Sequence, residues 1–463
     1  MPARTYDVPP GPPGYPLVGA LPAFARDPLG FLCDATRRYG DLLFLGKALG
    51  RGVYVLSRPD HIKHVLQENN RNYIKGSGLA ALKLVVGEGL VVAEGERWHR
   101  QRRLVQPSFH RQRVTALVDQ MADVVDKVHA RWREKPTAEP VQVLFEMMRI
   151  TQRVLISTMF GVDIESKTDE LSKAWDVVVD VLTERLLSPP IHLPISVPTP
   201  KNLRFRRAMK TLDDAIYGIL RDPHGEGRGL LSMLRAARDE VTGEGMSDEE
   251  LRDEIMTVFA GGFETSAVVL SWVFHVLGTH PEVEAKLHAE VDEVLGDRRP
   301  RMEDLPRLRY TKMVVEETLR LYPSAWIFAR MNIGVDEIGG YPIPPNSLLF
   351  VVPYLTHRHP AFWDGPDTFE PERFTPDRSA TRPRFSYIPF GAGPRLCVGE
   401  AFAMTEMQIV VAMTARRFRL RPVSGREVRP RGMFTLRAKP EIVMHLEERR
   451  VAPRAIDEPT HAA

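Results

Sequence analysis

The stretch from Ser247 to His280, "SDEELRDEIMTVFAGGFETSAVVLSWVFHVLGTH", constrains this chain more than any other. It predicts one helix of roughly 30 residues, ~45 Å long at 1.5 Å per residue, stopped by His280 and Pro281. A rod of that length crosses an entire domain, so the remaining elements must be arranged around it. Ser247 and Glu250 form a capping box, and the acidic residues that follow Ser247 sit at the positive end of the helix dipole. Gly261 and Gly262 lie mid-helix, where each costs about 1 kcal/mol relative to alanine. Two readings account for them: a packing notch with a hydroxyl bonded back to its own helix, or a groove that makes room for a bound group.

Other segments carry the same helical texture. "RQRVTALVDQMADVVDKVHARW", "LFEMMRITQRVLISTMFG" and "AWDVVVDVLTERLL" repeat apolar residues at three- and four-residue intervals, and "EAFAMTEMQIVVAMTARRF" is the last good helix. Short β-rich runs, "LLFLG" and "GVYVLS", come early, and strand and turn texture returns from 330 to 356. The fold class expected is mainly α with a small β-rich lobe, as a single domain over 1–463. Residues 1–16, rich in proline, form a rigid lead-in, and 451–463 form a disordered tail. Between 188 and 200, "SPPIHLPISVPTP" must be irregular: a lid or contact surface on one reading, a loop packed on the core on the other.

Composition removes several function classes. A net charge of +3 from 63 cations and 60 acids leaves no global field for nucleic acid. Two cysteines, Cys33 and Cys397, cannot frame a disulfide scaffold and point to a reducing, cytoplasmic setting. The N-terminus has no charged start followed by an apolar core, and no run of ~18 to 20 apolar residues predicts a transmembrane anchor.

"FGAGPRLCVG", residues 390–399, surrounds Cys397 with three glycines and Arg395 just before the last helix. Free N–H groups at a helix start favour a thiolate. A structural zinc site needs about four ligands, and no second cysteine is near. A nucleophile needs a base, and the segment has no histidine. An inert core cysteine is the remaining ordinary reading. The spacing F-x-x-G-x-R-x-C-x-G, however, resembles the haem-binding loop of the cytochrome P450 family, the haem-thiolate monooxygenases. Phe390, Gly393, Arg395, Cys397 and Gly399 fall on it without departure.

That resemblance implies the cytochrome P450 fold, with haem b between the long central helix and the Cys loop and Cys397 as axial thiolate of the iron. It also orders the other motifs. Glu317 and Arg320 in "EETLR", with Arg373 in "PERF", match the family's buried structural triad, although Glu94/Arg97, Glu370/Arg373 and Glu447/Arg450 share the E-x-x-R spacing. "AGGFETS" resembles the oxygen-activation segment, with Thr265 as donor to the distal oxygen and Glu264 as proton relay. Trp98 and Arg102 in "WHRQRR", Arg330 and Arg395 face the propionates, and Phe390 and Gly399 belong to the cofactor-binding set. His99 is a bystander, while Arg100 and Arg103 point to solvent or form a basic face for an acidic electron donor. Leu79, Phe263, Trp326, Ile327, Phe328 and Phe434 are pocket-lining candidates or ordinary core.

The function so implied is insertion of one atom of O2 into an apolar organic substrate by hydroxylation or epoxidation. The chain is expected to be a monomer with no fused flavin or iron–sulfur centre, receiving electrons from a ferredoxin- or flavodoxin-type donor with its reductase. A peroxide-driven peroxygenase and a non-catalytic haem sensor or carrier remain as alternatives.

Overall fold

The computed structural model describes residues 8–48, 50–134, 139–162, 165–187, 192–221, 229–240 and 242–449, the side chains at 77, 78 and 187 excepted. The expectations for residues 451–463 and for 188–191 of the proline-rich loop lie outside that set. The helices that position the site are, in chain order, α1 (Leu21–Arg26), α2 (Gly95–Val105), α3 (Val143–Phe160), α4 (Thr168–Leu187), α5 (Pro200–Arg221), α6 (Asp248–Gly262), α7 (Glu264–Thr279), α8 (Arg309–Leu321) and α9 (Glu400–Arg417).

The β-rich lobe is built from both ends of the chain. Strands β1 (Leu42–Ala48), β2 (Arg51–Leu56), β3 (Tyr73–Ile74), β4 (Phe328–Asn332) and β5 (Leu348–Val351) form one sheet in the order β1-β2-β5-β4-β3. Only β2 and β5 run parallel, in register Val53↔Leu348, and β4 pairs antiparallel with β5 and with β3, Tyr73 facing Asn332. Leu43, Val53, Val55, Trp326 and Phe350 fill one face of this lobe. A hairpin of β6 (Arg429–Gly432) and β7 (Leu436–Lys439) is set apart from that sheet. The proline-rich lead-in runs along β1, where Phe44 N–H donates to the Pro10 carbonyl at 3.1 Å.

The central helix has the predicted extent, with the Ser247–Glu250 capping box formed, but it is interrupted at Phe263. Two hydroxyls mark the break: Thr265 Oγ1 donates to the Gly261 carbonyl at 2.7 Å, and Thr151 Oγ1 of α3 donates to the Phe263 carbonyl at 2.9 Å. Side-chain hydroxyls that compete for helix carbonyls bend helices, and the adjacent glycines lower the resistance to bending. The sequence reading, which finds no membrane-length apolar run, meets one exception here. Asp248–Thr279 is long and apolar enough to cross a bilayer, yet most of it is buried inside the molecule, as a core helix should be.

One buried ionic network fixes the approach to the Cys loop. Arg320 grips Glu317 with two bonds of 2.7 Å and donates to the carbonyls of His357, Pro366 and Thr368. Arg373 adds a cation 3.4 Å from the same carboxylate, and Glu370 N–H donates to it at 2.9 Å. Glu370 also pairs with Arg373 at 3.1 Å, so one of the competing E-x-x-R matches is part of this network. His357 Nδ1 donates to the Arg320 carbonyl, and its Nε2 accepts from Ile388 N–H at 2.8 Å, two residues before Phe390.

Glu317→Ala would strand the Arg320 charge and is expected to cost roughly 3–5 kcal/mol, read as a lowered urea midpoint. A second prediction concerns acid. Burial pushes His288 and His357 down to about 3 and His129 well below its usual range. Between about pH 6.5 and 3 the unfolded chain therefore binds protons that the folded chain does not, so stability falls as pH falls through that window. Urea midpoints from pH 7 to 4 should show this limb, and His357→Asn should flatten it.

Candidate active site

The Cys loop is shaped by close backbone approach. Gly393 has φ +69°, and a Cβ there would lie 1.9 Å from the Leu66 carbonyl oxygen, so only glycine fits. Cys397 N–H donates to the Phe390 carbonyl at 3.0 Å, and Gly399 is the N-cap of α9. Cys397 is exposed, yet close protein neighbours desolvate its sulfur. Desolvation pushes the free thiol up, against the pull of the Gly399 and Glu400 N–H groups and of Arg102. The helix-start N–H groups do pull toward thiolate, as the sequence leads one to expect, and in the free thiol burial outweighs them.

Across from this loop, the break in the central helix separates two neighbouring residues. Thr265 is partly accessible, and Gly261 beside it is exposed with nothing within 4 Å of an added Cβ. Glu264 is fully buried. Its carboxylate accepts from Trp175 Nε1, from Thr435 Oγ1 at 2.8 Å, and from Arg437 at 2.8 and 3.0 Å. Arg437 also holds Asp176 of α4 at 2.9 Å. Burial works against the Arg437 charge, but the two carboxylates prevail and its pKa is raised. A cleft of about 320 Å³ leads to Arg437, lined also by Asp176, Asp180 and Lys439. Thr265 and Glu264, adjacent in sequence, thus face different surroundings. Ser266 lies against Glu406 of α9, so the helix bearing Thr265 packs on the helix that Cys397 precedes.

Beside the Cys loop four cations cluster, Lys75, Arg102, Arg330 and Arg395, and one of them, Arg395, is ion-paired with Glu94. Arg395 donates to Glu94 and to the Ala93 carbonyl, with its guanidinium 3.8 Å from the Trp98 ring centroid. Arg102 donates to the Leu396 carbonyl at 2.8 Å and to Gln106 at 2.9 Å. Arg330 is half-buried, with only the Ala329 carbonyl as hydrogen-bond acceptor among the described residues, and desolvation pulls it down to about 10. Lys75 is the fourth: its backbone N–H donates to Glu94, its Nζ to the Val91 carbonyl, and burial beside Arg395 and Arg330 pulls it down to about 7. Sequence reasoning missed Lys75. It follows β3 in an unremarkable stretch, and only the pairing of β3 with β4 carries it toward Arg330.

Clustered like charges are unfavourable unless opposed, and among the described residues Glu94 is the one carboxylate paired within this half-buried group, which leaves it an excess of positive charge. That excess fits the two propionates of the haem that the Cys loop implies, with Lys75, Arg102, Arg330 and Arg395 as the groups that would hold them. Arg100 and Arg103 do not form a free basic face: Arg100 pairs with Glu250 at 2.7 Å and Arg103 with Asp239 at 2.7 Å. Both are tied to the segment that leads into α6. His99 meets Trp98 edge-on, with ring centroids 4.7 Å apart.

The pocket candidates divide. Trp326 is core, fully buried, with Nε1 donating to the Met433 carbonyl at 2.8 Å. Phe263 is also buried, against Phe259 and Trp175. Ile327 and Phe328 pack in the β-rich lobe, and Leu79 and Phe434 are half-buried against the main core. A cavity of about 680 Å³ is lined by other residues, among them Ala25, Val181, Glu184, Lys201, Arg431 and Met433.

Lys75→Met removes one of four clustered cations. The haem-free protein should become more stable at pH 7, and haem transfer to an acceptor globin should quicken, since one propionate partner is lost. A slower or unchanged transfer would remove Lys75 from the propionate set.

Comparison with known proteins agrees with this geometry. The cytochrome P450 family model matches residues 9–445. Cyclooctatin synthase of Streptomyces melanosporofaciens is 38% identical over 436 residues, covering 93% of each chain. Cyclooctat-9-en-7-ol 5-monooxygenase of the same organism is 35% identical over 92% of each chain, and pentalenene oxygenase of Streptomyces avermitilis is 32% identical over 94% of this chain and 96% of that one. The crystal structure of the cytochrome P450DA heme domain superimposes with a TM-score of 0.86 at 25% identity, covering 96% of this chain and 99% of that one. A thiol-bearing loop, a notched central helix and a surplus of half-buried cations thus occur in a chain that belongs to the cytochrome P450 family and is one of its monooxygenases.

Proposed function

We propose that this monooxygenase hydroxylates or epoxidises a cyclic terpene, with electrons delivered by a ferredoxin- or flavodoxin-type protein and its reductase. The observation that carries the chemistry is the break at Phe263, which leaves Gly261 and the Thr265 hydroxyl open in an otherwise buried helix. The substrate class is supported by the relatives, which include a pentalenene oxygenase and a cyclooctat-9-en-7-ol monooxygenase.

When bound, haem supplies O2 activation, and a thiolate ligand favours O–O cleavage. In this reading Cys397 is that ligand, and Lys75, Arg102, Arg330 and Arg395 orient the group through its propionates. Thr265 Oγ1 holds a proton in the opening beside Gly261. Glu264 replenishes it, drawing on the cleft at Arg437; to do so its carboxylate must exchange at least one of its four donors. Phe390 and Gly399 shape the loop around the sulfur. A peroxide-driven reaction on the same haem draws on one observation, the full engagement of Glu264 by Trp175, Thr435 and Arg437.

The reduced protein with CO should give the red-shifted Soret band of thiolate-ligated haem, and Cys397→His should lose it. With a ferredoxin system, cyclic terpene hydrocarbons should shift the Soret band and yield mono-oxygenated products. Thr265→Ala should divert most reducing equivalents to peroxide; unchanged coupling would remove Thr265 from proton delivery. Turnover with peroxide alone, and none with the reductase system, would decide for the peroxygenase. Binding of fatty acids to the exclusion of terpenes would overturn the substrate class.

A further inference from the structure

Residues 87–94 join the helix Ala80–Val86 to α2, and the start of this stretch is seated on α6. Glu88 N–H donates to Asp253 at 2.7 Å and Leu90 N–H to Glu254 at 3.0 Å. From α2, Gln101 Nε2 donates to the Glu88 carbonyl at 3.0 Å. The backbone approaches α6 so closely that a Cβ at Gly87 would collide with the Asp253 carboxylate, and one at Gly89 with Thr257 Oγ1. Polar satisfaction is incomplete at this junction. Glu254 is fully buried, and its second oxygen, Oε2, has no hydrogen-bond partner among the described residues. Gln101 Oε1 and Thr257 Oγ1, on side chains that border the same residues 88–90, are buried without a partner as well.

An ionised carboxylate with one donor and a bare buried oxygen is costly, whereas the protonated acid carries its own donor on that oxygen. Burial and the neighbouring Asp253 and Glu250 carboxylates push Glu254 up to about 8, against the pull of the Leu90 N–H and of Arg97 on α2. The other charges around it are committed. Glu250 pairs with Arg100 at 2.7 Å, Asp253 with Arg252 at 2.9 Å, and Glu88 with Lys83 at 2.9 Å. On the elements packed against α6, Asp213 of α5 takes Arg252, and Arg149 of α3 holds Glu146 and Asp169. Arg153 of α3 takes Glu165, and Arg235 bonds the Leu220 carbonyl.

We propose that Glu254 is a proton-controlled latch: it is a neutral acid while residues 88–90 are seated on α6 and ionises when they lift, so that loss of its proton favours the lifted state. The seated state holds a proton that the lifted state, with its carboxyl in water, releases above the ordinary value of about 4.3. Between that pH and about 8 the ratio of lifted to seated chains rises about tenfold per pH unit, and above about 8 it levels off. The far end of the stretch is tied to the cation cluster: the Val91 carbonyl accepts from Lys75, the Ala93 carbonyl from Arg395 at 2.8 Å, and Glu94 from both. Lifting residues 88–90 therefore loosens the acceptors that hold Lys75 and Arg395 and couples solution pH to the grip on the propionates; that consequence rests on the proposed role of those cations, whereas the latch does not.

The test is hydrogen exchange of the Glu88 and Leu90 amides in the haem-loaded protein from about pH 5.5 to 9, each rate referred to that of an unstructured chain at the same pH, with the CO spectrum as the check that every variant is loaded. Protection should fall about tenfold per pH unit up to about pH 8 and stay flat beyond it. Glu254→Gln keeps the acceptor for Leu90 N–H and puts an amide donor where the acid carries its proton, so it should show protection without that slope. Lys75 is pulled to about 7 and titrates in the same window, so Lys75→Gln is the control and should keep the parent slope. Protection independent of pH in the parent, the parent slope persisting in Glu254→Gln, or a slope lost in Lys75→Gln would overturn the proposal, the last assigning the pH dependence to Lys75. Should Glu254→Gln fail to fold, the profiles of the parent and of Lys75→Gln decide by themselves.

Discussion

The Arg320 guanidinium, fully buried, is the interaction on which the rest of the structure depends. A buried charge is tolerable only when every donor is matched, and Arg320 matches its own with one carboxylate and three carbonyls. Those carbonyls belong to a stretch with little regular structure, residues 357–368. Without a central cation that stretch has no reason to adopt one path. With it, His357 is held as a neutral ring whose two nitrogens face opposite ways, one to α8 and one to Ile388 at the entrance of the Cys loop. The position of the sulfur is thus inherited from an ion pair in another helix.

Electrostatics divides the interior into two kinds of site. Around Glu317 and Glu264, carboxylates are saturated with donors and the local charge closes. Around Glu94 it does not close, and the strain is recorded in Lys75 and Arg330, both pulled below their ordinary ranges by burial. The surplus sits against the loop that carries Cys397, where an anionic group would balance it.

Much of this was legible in the sequence because it is local. The capping box at Ser247, the glycine-shaped Cys loop and the Glu317–Arg320 spacing each involve residues within one turn or one loop. What escaped is long-range. Lys75 reaches the cation cluster through strand pairing, and the donors that hold Glu264 come from α4, from β7 and from Thr435 just before it, 89 to 173 positions away. Arg100 and Arg103 read as surface cations because their partners, Glu250 and Asp239, lie more than 130 residues on. The interruption at Phe263 was hidden for a similar reason: Gly261 and Gly262 permit a bend, but Thr151 of α3 helps to set where it falls.

The contact between Gly393 and the Leu66 carbonyl has a mechanical meaning. Backbone pressed against backbone leaves no side chain to act as a cushion, so the Cys loop and the segment at 64–68 cannot be displaced independently. The sulfur shares the stiffness of the β-rich lobe, while the cavity at α4 and α5 is bordered by a loop and by long charged side chains. The Cys loop is therefore held by backbone contact, whereas Glu184, Lys201, Arg204 and Arg431 around the cavity are long side chains that can change rotamer without moving that contact.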